Sequence, residues 1–252
     1  MSSTPQWFQA TQSAPRASVR LLCLPYAGGG ASLFRDWSKY VPADAQVWGV
    51  QLPGRETRFN EDPCRRMSDL VTPLARALLP HTDVPLVLFG HSMGALVGFA
   101  LSRELRRLQA PAPARLIVSS HLAPDQPDYD PPIHDWPHSE FLDAVGRLSG
   151  DSAAMPSEEL VELLLPSLRA DFELCETYEY TEEAPLECPI SAFCGMDDQE
   201  ITRKDLLEWK KHTRAQLTID TFPGGHFYWR DNPDALFGSL TRVLREMVDG
   251  AD

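Results

Sequence analysis

The chain has 252 residues, of which 43% are hydrophobic and 23% are charged, a composition typical of one globular domain with a substantial core. No apolar run approaches the roughly 18 residues of a membrane span, and residues 1–18 lack the apolar centre of a secretion signal, so we expect a soluble, cytoplasmic protein with no membrane partner. The net charge of -13 argues against nucleic acid as a partner.

Short apolar runs rich in β-branched residues alternate with segments of helical length along most of the chain. This alternation predicts an α/β fold with a mainly parallel sheet and helices on both faces. The predicted strands are Val19–Leu24, Val47–Leu52, Leu86–Phe89, Leu116–Ser119, Ile190–Cys194 and Leu217–Phe222. The predicted helices are Met67–Leu79, Ala95–Leu108, Lys204–His212 and Pro233–Val248. Residues 1–18, rich in Ser, Thr, Gln and Pro, are predicted to be a flexible tail, and residues 19–252 a single domain.

A glycine-rich loop follows the first predicted strand. Its segment Pro25–Gly30 ends in three consecutive glycines, which allow the backbone to approach a ligand closely. If the chain performs acyl transfer, the N–H of Ala27 is our candidate donor to the oxyanion. A plain flexible turn and a phosphate-binding loop are the alternatives. The sequence has neither GxGxxG nor a following Gly-Lys-Ser here, which disfavours nucleotide binding.

The third predicted strand runs into a motif that suits a nucleophile. Directly after Leu86–Phe89, Gly90 and Gly94 stand two residues on either side of Ser92. Such glycines relieve the crowding of a sharp turn between strand and helix, and the turn exposes the serine hydroxyl. The N–H of Met93, at the start of the next helix, is a second candidate oxyanion donor. Turns commonly use glycine and serine, so this motif alone does not decide between catalysis and an ordinary turn.

The interval between the fourth predicted strand and Ile190 is nearly 70 residues long, too long for a structureless loop. We predict helices at Phe141–Leu148 and Glu158–Leu165, with Pro166 kinking or dividing the second stretch. Residues 121–188 hold 17 acidic and 2 basic residues. We interpret about 122–187 as a lid over the sheet edge, with extra core packing as the alternative. Its predicted substrate-facing residues are Leu160, Leu164 and Leu168.

The last two predicted strands each end in a loop with chemistry that a serine nucleophile requires. A histidine must take the serine proton and a carboxylate must orient that histidine. Asp198 stands three residues after Gly195, and His226 follows two glycines. The order Ser92, Asp198, His226 is that of the α/β-hydrolase triad, and the glycine offset favours Asp198 over Asp197. No HxH or HExxH pattern occurs, so nothing in the sequence indicates a metal site.

Taken together, the chain resembles the type II thioesterases that accompany polyketide synthases and nonribosomal peptide synthetases. The similarity rests on six motifs in order, Leu24–Gly30 (LPYAGGG), Gln51–Glu56 (QLPGRE), Phe89–Ala95 (FGHSMGA), Leu168–Phe172 (LRADF), Gly195–Asp198 (GMDD) and Pro223–Phe227 (PGGHF). The resemblance implies a standalone hydrolase, acting as a monomer without a cofactor of its own. It would remove acyl groups from the phosphopantetheine thioester of acyl or peptidyl carrier proteins and so clear stalled or misprimed synthase modules.

Other functions compatible with the same motifs are a general carboxylesterase or lipase, a catalytically silent hydrolase-fold docking protein, and a chain-releasing domain of a larger synthase. Since Met1 begins the chain, we expect a discrete protein rather than such a domain. Carrier proteins of these pathways are commonly acidic. We therefore expect a carrier to avoid the acidic lid and to dock near Arg55, Arg58, Arg65 and Arg66.

Overall fold

A computed structural model describes residues 7–11, 17–126, 131–149 and 158–249. Its centre is a seven-stranded sheet in the order β1-β3-β2-β4-β5-β6-β7. Every neighbouring pair is parallel except β1 with β3. The strands are β1 Phe8–Ala10, β2 Val19–Leu24, β3 Ala45–Val50, β4 Leu86–His91, β5 Arg115–Ser119, β6 Ile190–Gly195 and β7 Leu217–Phe222. The predicted α/β class is confirmed.

Helices cover both faces of this sheet. They are α1 Met67–Leu78, α2 Met93–Arg107, α3 His138–Ser149, α4 Glu158–Glu176, α5 Arg203–Leu206, α6 Tyr228–Asp231 and α7 Pro233–Asp249. Alternate residues of β2 enter two separate apolar clusters. Leu22 packs with α1 and α2 on one face, and Leu21 packs with α7 on the other. Because β2 is buried on both faces, five of its six residues are apolar; the exception, Arg20, places its guanidinium over the Trp48 ring and pairs with Asp83.

The first 18 residues differ in part from the flexible tail predicted above. Phe8–Ala10 forms an antiparallel edge strand with β3, and Trp7 is buried beneath the guanidinium of Arg58, 4.1 Å from the ring centroid. The prediction is therefore wrong for these residues. The free edge of β3 offers backbone hydrogen bonds, and Trp7 adds apolar burial. Three residues are too few to produce a periodic signal in the sequence.

Two further local differences concern helices. The predicted helix Lys204–His212 is α-helical only as Arg203–Leu206 and continues as a 3-10 helix over Leu207–His212. Pro166 lies inside α4 without dividing it, so the predicted division is wrong. The proline is exposed, and so is Glu162, whose carbonyl loses its helical partner, so water can satisfy that carbonyl.

The interval between β5 and β6 contains two long helices, α3 and α4, as predicted. They share a small apolar cluster built on Phe141 and Ala144 of α3 and on Leu165, Leu168 and Phe172 of α4. This cluster is separate from the two clusters that pack against the sheet. In the part of the chain that the structure describes, no helix combines the length and apolar character needed to cross a membrane.

Candidate active site

Three of four adjacent strands deliver the predicted catalytic residues to one edge of the sheet. Ser92 follows β4, Ser119 ends β5, Asp198 follows β6 and His226 follows β7. These strands are neighbours in the order β4-β5-β6-β7 and all run parallel. Parallel strands place their carboxyl ends at the same edge, which is where open α/β sheets hold their ligands. The topology therefore gathers residues that are separated by up to 134 positions in the chain.

Ser92 occupies a strained turn between β4 and α2. Its φ of 52° and ψ of -123° are unfavourable for a residue with a side chain, at a cost of about 1–3 kcal/mol. A Cβ on Gly90 would lie 2.0 Å from the carbonyl oxygen of Gly94, and a Cβ on Gly94 would lie 2.2 Å from that of Leu24. Only glycine fits either position. The Ser92 N–H donates to the Ser119 carbonyl over 2.8 Å, which ties the turn to the next strand.

Asp198, rather than its neighbour Asp197, faces the histidine. Its Oδ2 lies 3.1 Å from Nδ1 of His226, whereas Asp197 is exposed. Oδ1 of Asp198 accepts the N–H groups of Glu200 at 3.0 Å and Ile201 at 3.3 Å. Burial alone would raise the pKa of Asp198, but the hydrogen bond and charge of His226, with the Glu200 N–H, hold it below its ordinary value. The carboxylate thus stays ionised beside an imidazole whose side chain is 15% exposed.

A buried polar chain that the sequence reasoning did not identify lies behind the histidine. Nδ1 of His91 is 2.9 Å from Oγ of Ser119, which is 2.8 Å from the hydroxyl of Tyr228. The His91 ring centroid lies 5.0 Å from that of His226. Burial, followed by the charge of His226, lowers the pKa of His91 well below its usual value. The uncharged form of His91 is therefore favoured where its ring lies against that of His226. The only sequence signal for these polar contacts is the position of Tyr228, two residues after His226.

Both predicted oxyanion donors lie at the same edge. Met93 is the first residue of α2, so its N–H has no acceptor within the helix. In the loop after β2, the N–H of Gly28 donates to Asp171 at 2.7 Å and that of Gly29 to the Tyr26 carbonyl at 2.9 Å. Among the hydrogen bonds of the described residues, none uses the N–H of Ala27. The Ala27 N–H is thus available to a ligand, as its predicted role requires.

The predicted docking arginines divide into two kinds. Arg55 is buried and forms an ion pair with Asp171 of α4, and Arg58 is buried against Trp7 and pairs with Glu61. The docking prediction is therefore wrong for Arg55 and Arg58, because neither guanidinium can reach a partner protein. Arg65 and Arg66 are each about half exposed, at 54% and 51%, and share Glu173 as their partner.

The three predicted lid residues have different surroundings. Leu168 packs against the glycine loop, where its Cδ1 would lie 2.9 Å from a Cβ on Gly28. Leu164 is half-buried and is not part of the cluster between α3 and α4. Leu160 belongs to the first turn of α4, and its side chain lies outside the described residues. Leu168 therefore contacts the glycine loop directly.

Metal ligands are not gathered at this edge. Over the described ranges 7–11, 17–126, 131–149 and 158–249, no group of three or more His, Cys, Asp or Glu side chains is arranged to hold a metal ion. What the site does offer is a serine on a strained turn, a histidine paired with an ionised carboxylate, and two backbone donors. These are the components of nucleophilic acyl transfer.

Comparison with known proteins identifies similar sequences and structures over nearly the whole chain. Residues 19–244 match the family model described as Thioesterase domain. The curated relative GrsT, a gramicidin S biosynthesis protein of Aneurinibacillus migulanus, is 35% identical over 97% of this chain and 96% of its own. LgrE of Brevibacillus parabrevis, named linear gramicidin dehydrogenase, is 38% identical over 98% of this chain and 96% of its own. The structure of BorB, a type II thioesterase from the borrelidin biosynthetic cluster, superposes with a TM-score of 0.87 at 33% identity, covering 94% of this chain and 97% of that one.

Proposed function

We propose, since the chain belongs to the thioesterase family, that it hydrolyses acyl groups from the phosphopantetheine thioester of carrier proteins in a polyketide or nonribosomal peptide pathway. It is a type II-like thioesterase of such pathways. The finer role that we propose is the removal of stalled or misprimed acyl groups from synthase modules. One observation carries the chemistry, the Asp198–His226 pair at the same sheet edge as a serine held at positive φ.

The direction of proton transfer follows from which nitrogen of His226 remains available. Because Nδ1 of His226 is taken by Asp198, Nε2 is the nitrogen that can accept the proton of Ser92. Oγ of Ser92 then forms a bond to the thioester carbonyl carbon, and the carbonyl electron pair moves to the oxygen. The N–H groups of Ala27 and Met93 stabilise that oxyanion. In a serine protease, removing one such donor raises the activation free energy by about 2.7–4 kcal/mol.

Collapse of the tetrahedral intermediate breaks the carbon–sulfur bond. His226 gives the proton that it took from Ser92 to the departing sulfur, so phosphopantetheine leaves as the thiol. A water molecule, deprotonated by His226, next attacks the acyl-serine ester and releases the acid and Ser92. Every group in this cycle belongs to the chain, to water or to the substrate, so we propose that the enzyme needs no cofactor of its own beyond the phosphopantetheine that the carrier brings.

The position of α4 supports a role in holding the acyl chain. Leu168 contacts the glycine loop directly, and its neighbours Leu165 and Phe172 form an apolar surface with α3. An acyl group on Ser92 needs such a surface because burying each methylene contributes about 0.8 kcal/mol. We propose that Leu164 and Leu168, with Leu160, line the acyl chamber and that α3 and α4 form a lid over it.

The relative LgrE is named a dehydrogenase, and dehydrogenases commonly bind a dinucleotide. In the present chain, the glycine loop is the segment where a dinucleotide would have to bind. The N–H of Gly28, which would face a pyrophosphate, donates instead to the buried carboxylate of Asp171. That N–H is therefore not available to a phosphate. This contact favours acyl transfer over dinucleotide binding for the present chain.

The decisive experiment incubates the protein with a panel of acylated acyl and peptidyl carrier proteins and follows release of the free thiol. Free N-acetylcysteamine thioesters and p-nitrophenyl esters of the same acyl groups serve as comparison substrates. We expect carrier-bound thioesters to give the highest kcat/KM, and Ser92→Ala to lower it by about a thousandfold or more. A clear preference for free esters would instead identify a general esterase, and failure of a fluorophosphonate to label Ser92 would identify a silent docking protein.

A further inference from the structure

Asp171 binds the glycine loop from the lid helix α4. Its Oδ2 accepts the N–H of Gly28 at 2.7 Å, and the side chain is only 4% exposed. Leu168, one helical turn earlier on the same face of α4, fills the space beside Gly28. The φ of Gly28 is 80°, a conformation that costs little only for glycine. One face of α4 therefore holds the residue that directly follows the candidate oxyanion donor Ala27.

Arg55 completes this contact from the opposite direction. Its guanidinium donates to both carboxylate oxygens of Asp171, at 2.6 and 2.7 Å, and also to the carbonyl of Gly29 at 3.0 Å. The Arg55 side chain is 3% exposed. Charge-assisted, two-point contacts of this kind are the more strongly directional hydrogen bonds in proteins. Arg55 and Asp171 thus fix the N–H of Gly28 and the carbonyl of Gly29 at the same time.

Glu56, the next residue along the chain, holds the far end of the same loop. Its carboxylate accepts the Ser32 N–H at 3.2 Å and the Ser32 hydroxyl. A Cβ on Gly30 would lie 2.3 Å from Oε1 of Glu56, so the glycine makes room for the carboxylate. Glu56 itself has a φ of 48° although it is not a glycine. Such strain persists only where surrounding contacts enforce it.

These three contacts surround a segment that would otherwise be the most flexible backbone near Ser92. Three consecutive glycines have many accessible conformations, whereas an oxyanion donor must lie within a few tenths of an ångström of its place. We propose that Arg55, Glu56 and Asp171 form a clamp of positioning residues that fixes the loop Tyr26–Gly30 and thereby aims the Ala27 N–H at the developing oxyanion. This inference rests on the proposed acyl transfer at Ser92 and assigns that reaction a group of residues that touch no reacting atom.

The clamp also defines how the lid is attached. Because Asp171 and Leu168 both belong to α4, a displacement of this part of the helix would release the Gly28 N–H and disturb the donor. The middle of α4 therefore has to stay seated while substrate is processed.

The test uses two pairs of matched variants. Asp171→Asn is compared with Glu173→Gln, two residues later on α4, whose partners are the surface arginines Arg65 and Arg66. Glu56→Ala is compared with Glu61→Ala, whose carboxylate contacts Arg58 and not the glycine loop. kcat and KM are measured with an N-acetylcysteamine thioester and with p-nitrophenyl acetate, and the thermal midpoint is recorded for each variant.

We expect Asp171→Asn and Glu56→Ala to lower kcat by about 10- to 100-fold on both substrates, a fraction of the loss from deleting a whole donor. KM should change less than about twofold, and the pH dependence of kcat should keep its shape because the Asp198–His226 pair is untouched. The controls Glu173→Gln and Glu61→Ala should keep kcat within about twofold of the wild-type value, even if their thermal midpoints change.

The clamp is refuted if either clamp variant keeps the kcat of its control, or if its loss is confined to KM or to the folded fraction. Should Asp171→Asn not fold, Glu56→Ala decides the question, because Glu56 is exposed and its truncation leaves no buried charge. Failure of the proposed function gives a different result. In that case the wild-type protein would not cleave the thioester, while the comparison of variants on p-nitrophenyl acetate would still report on the clamp.

Discussion

The guanidinium of Arg55 and the carboxylate of Asp171, 116 positions apart in the chain, form a two-point ion pair that is almost completely buried. This pair joins the segment after β3 to helix α4. It encloses the Gly28 N–H and the Gly29 carbonyl between its members. The predicted docking role of Arg55 is therefore replaced by an internal one, and the same contact links α4 to the glycine loop.

Removing one member of this pair should strongly destabilise the fold. Arg55→Met leaves Asp171 buried without its countercharge, which typically costs about 3–5 kcal/mol. The double variant Arg55→Met with Asp171→Leu should regain much of that stability, since no charge remains buried. It should not regain kcat, because Gly28 then has no acceptor. Urea unfolding and thioester hydrolysis measure the two effects separately. A loss below about 1 kcal/mol in Arg55→Met would contradict the structural role of the pair.

Adjacent aspartates should differ sharply in their importance. Asp198→Asn replaces the carboxylate bound to His226, and we expect kcat to fall by about a thousandfold or more through loss of the correct imidazole tautomer. Asp197→Asn alters an exposed side chain and should change kcat less than about twofold. Steady-state kinetics on one thioester compares them. Equal losses would mean that the two carboxylates share the role.

The glycines around Ser92 should not tolerate a methyl group. Gly94→Ala would bring Cβ to 2.2 Å from the Leu24 carbonyl oxygen, so we expect a loss of activity and of at least about 2 kcal/mol of stability. Gly146→Ala in α3 meets nothing within 4 Å. That control should be neutral or stabilising by up to about 1 kcal/mol. Differential scanning calorimetry and fluorophosphonate labelling test both variants, and a Gly94→Ala protein that labels at the wild-type rate would disprove the elbow geometry.

Glu183 should contribute stability that is lost in acid. Burial opposes its ionisation, but hydrogen bonds and charges of Arg103, Arg106 and Arg107 lower its pKa to about 2. A carboxylate with a lowered folded pKa stabilises the protein above its ordinary pKa of 4.5 and loses that contribution as the pH falls towards 2. Glu183→Gln should therefore unfold more easily at pH 7, by up to about 3 kcal/mol, and should lose less stability between pH 5 and 3.

The matched control for this prediction is Glu187→Gln. Glu187 pairs with Arg214 at the surface, where both side chains are more than half exposed, so its replacement should change stability by less than about 1 kcal/mol. The measurement is urea unfolding across the pH range. Parallel stability curves for Glu183→Gln and the wild-type protein would show that the three arginines do not act through this carboxylate.

Carrier docking is testable at the two arginines that remain exposed. Reversing both, as Arg65→Glu with Arg66→Glu, should raise KM for an acylated carrier several-fold and weaken its dependence on salt, because an acidic partner would then be repelled. KM for a free N-acetylcysteamine thioester should not change. Arg214→Glu, at a similarly exposed arginine that pairs with Glu187, is the control. An unchanged carrier KM in the double variant would place the docking surface elsewhere.

The sequence by itself determined the features that local patterns encode. Short runs rich in apolar and β-branched residues indicate strands, and the bounds of β2 and β7 were predicted to the residue from such runs. A serine at positive φ needs glycine on both sides, which marks Ser92, and the chain order of Ser92, Asp198 and His226 follows from one loop after each strand. The choice of Asp198 over Asp197 followed from a three-residue offset.

Only the tertiary structure decided which side chains meet across long separations. In the sequence, Arg55 is a charged residue in a polar loop, whereas in the structure it is a buried partner of Asp171. No periodic pattern connects two positions that are 116 residues apart. The chain from His91 through Ser119 to Tyr228 and the pairing of β1 with β3 have the same origin. Burial and partner choice depend on how separate elements pack. The six motifs therefore identify the chemistry, while packing determines which residues hold it in place.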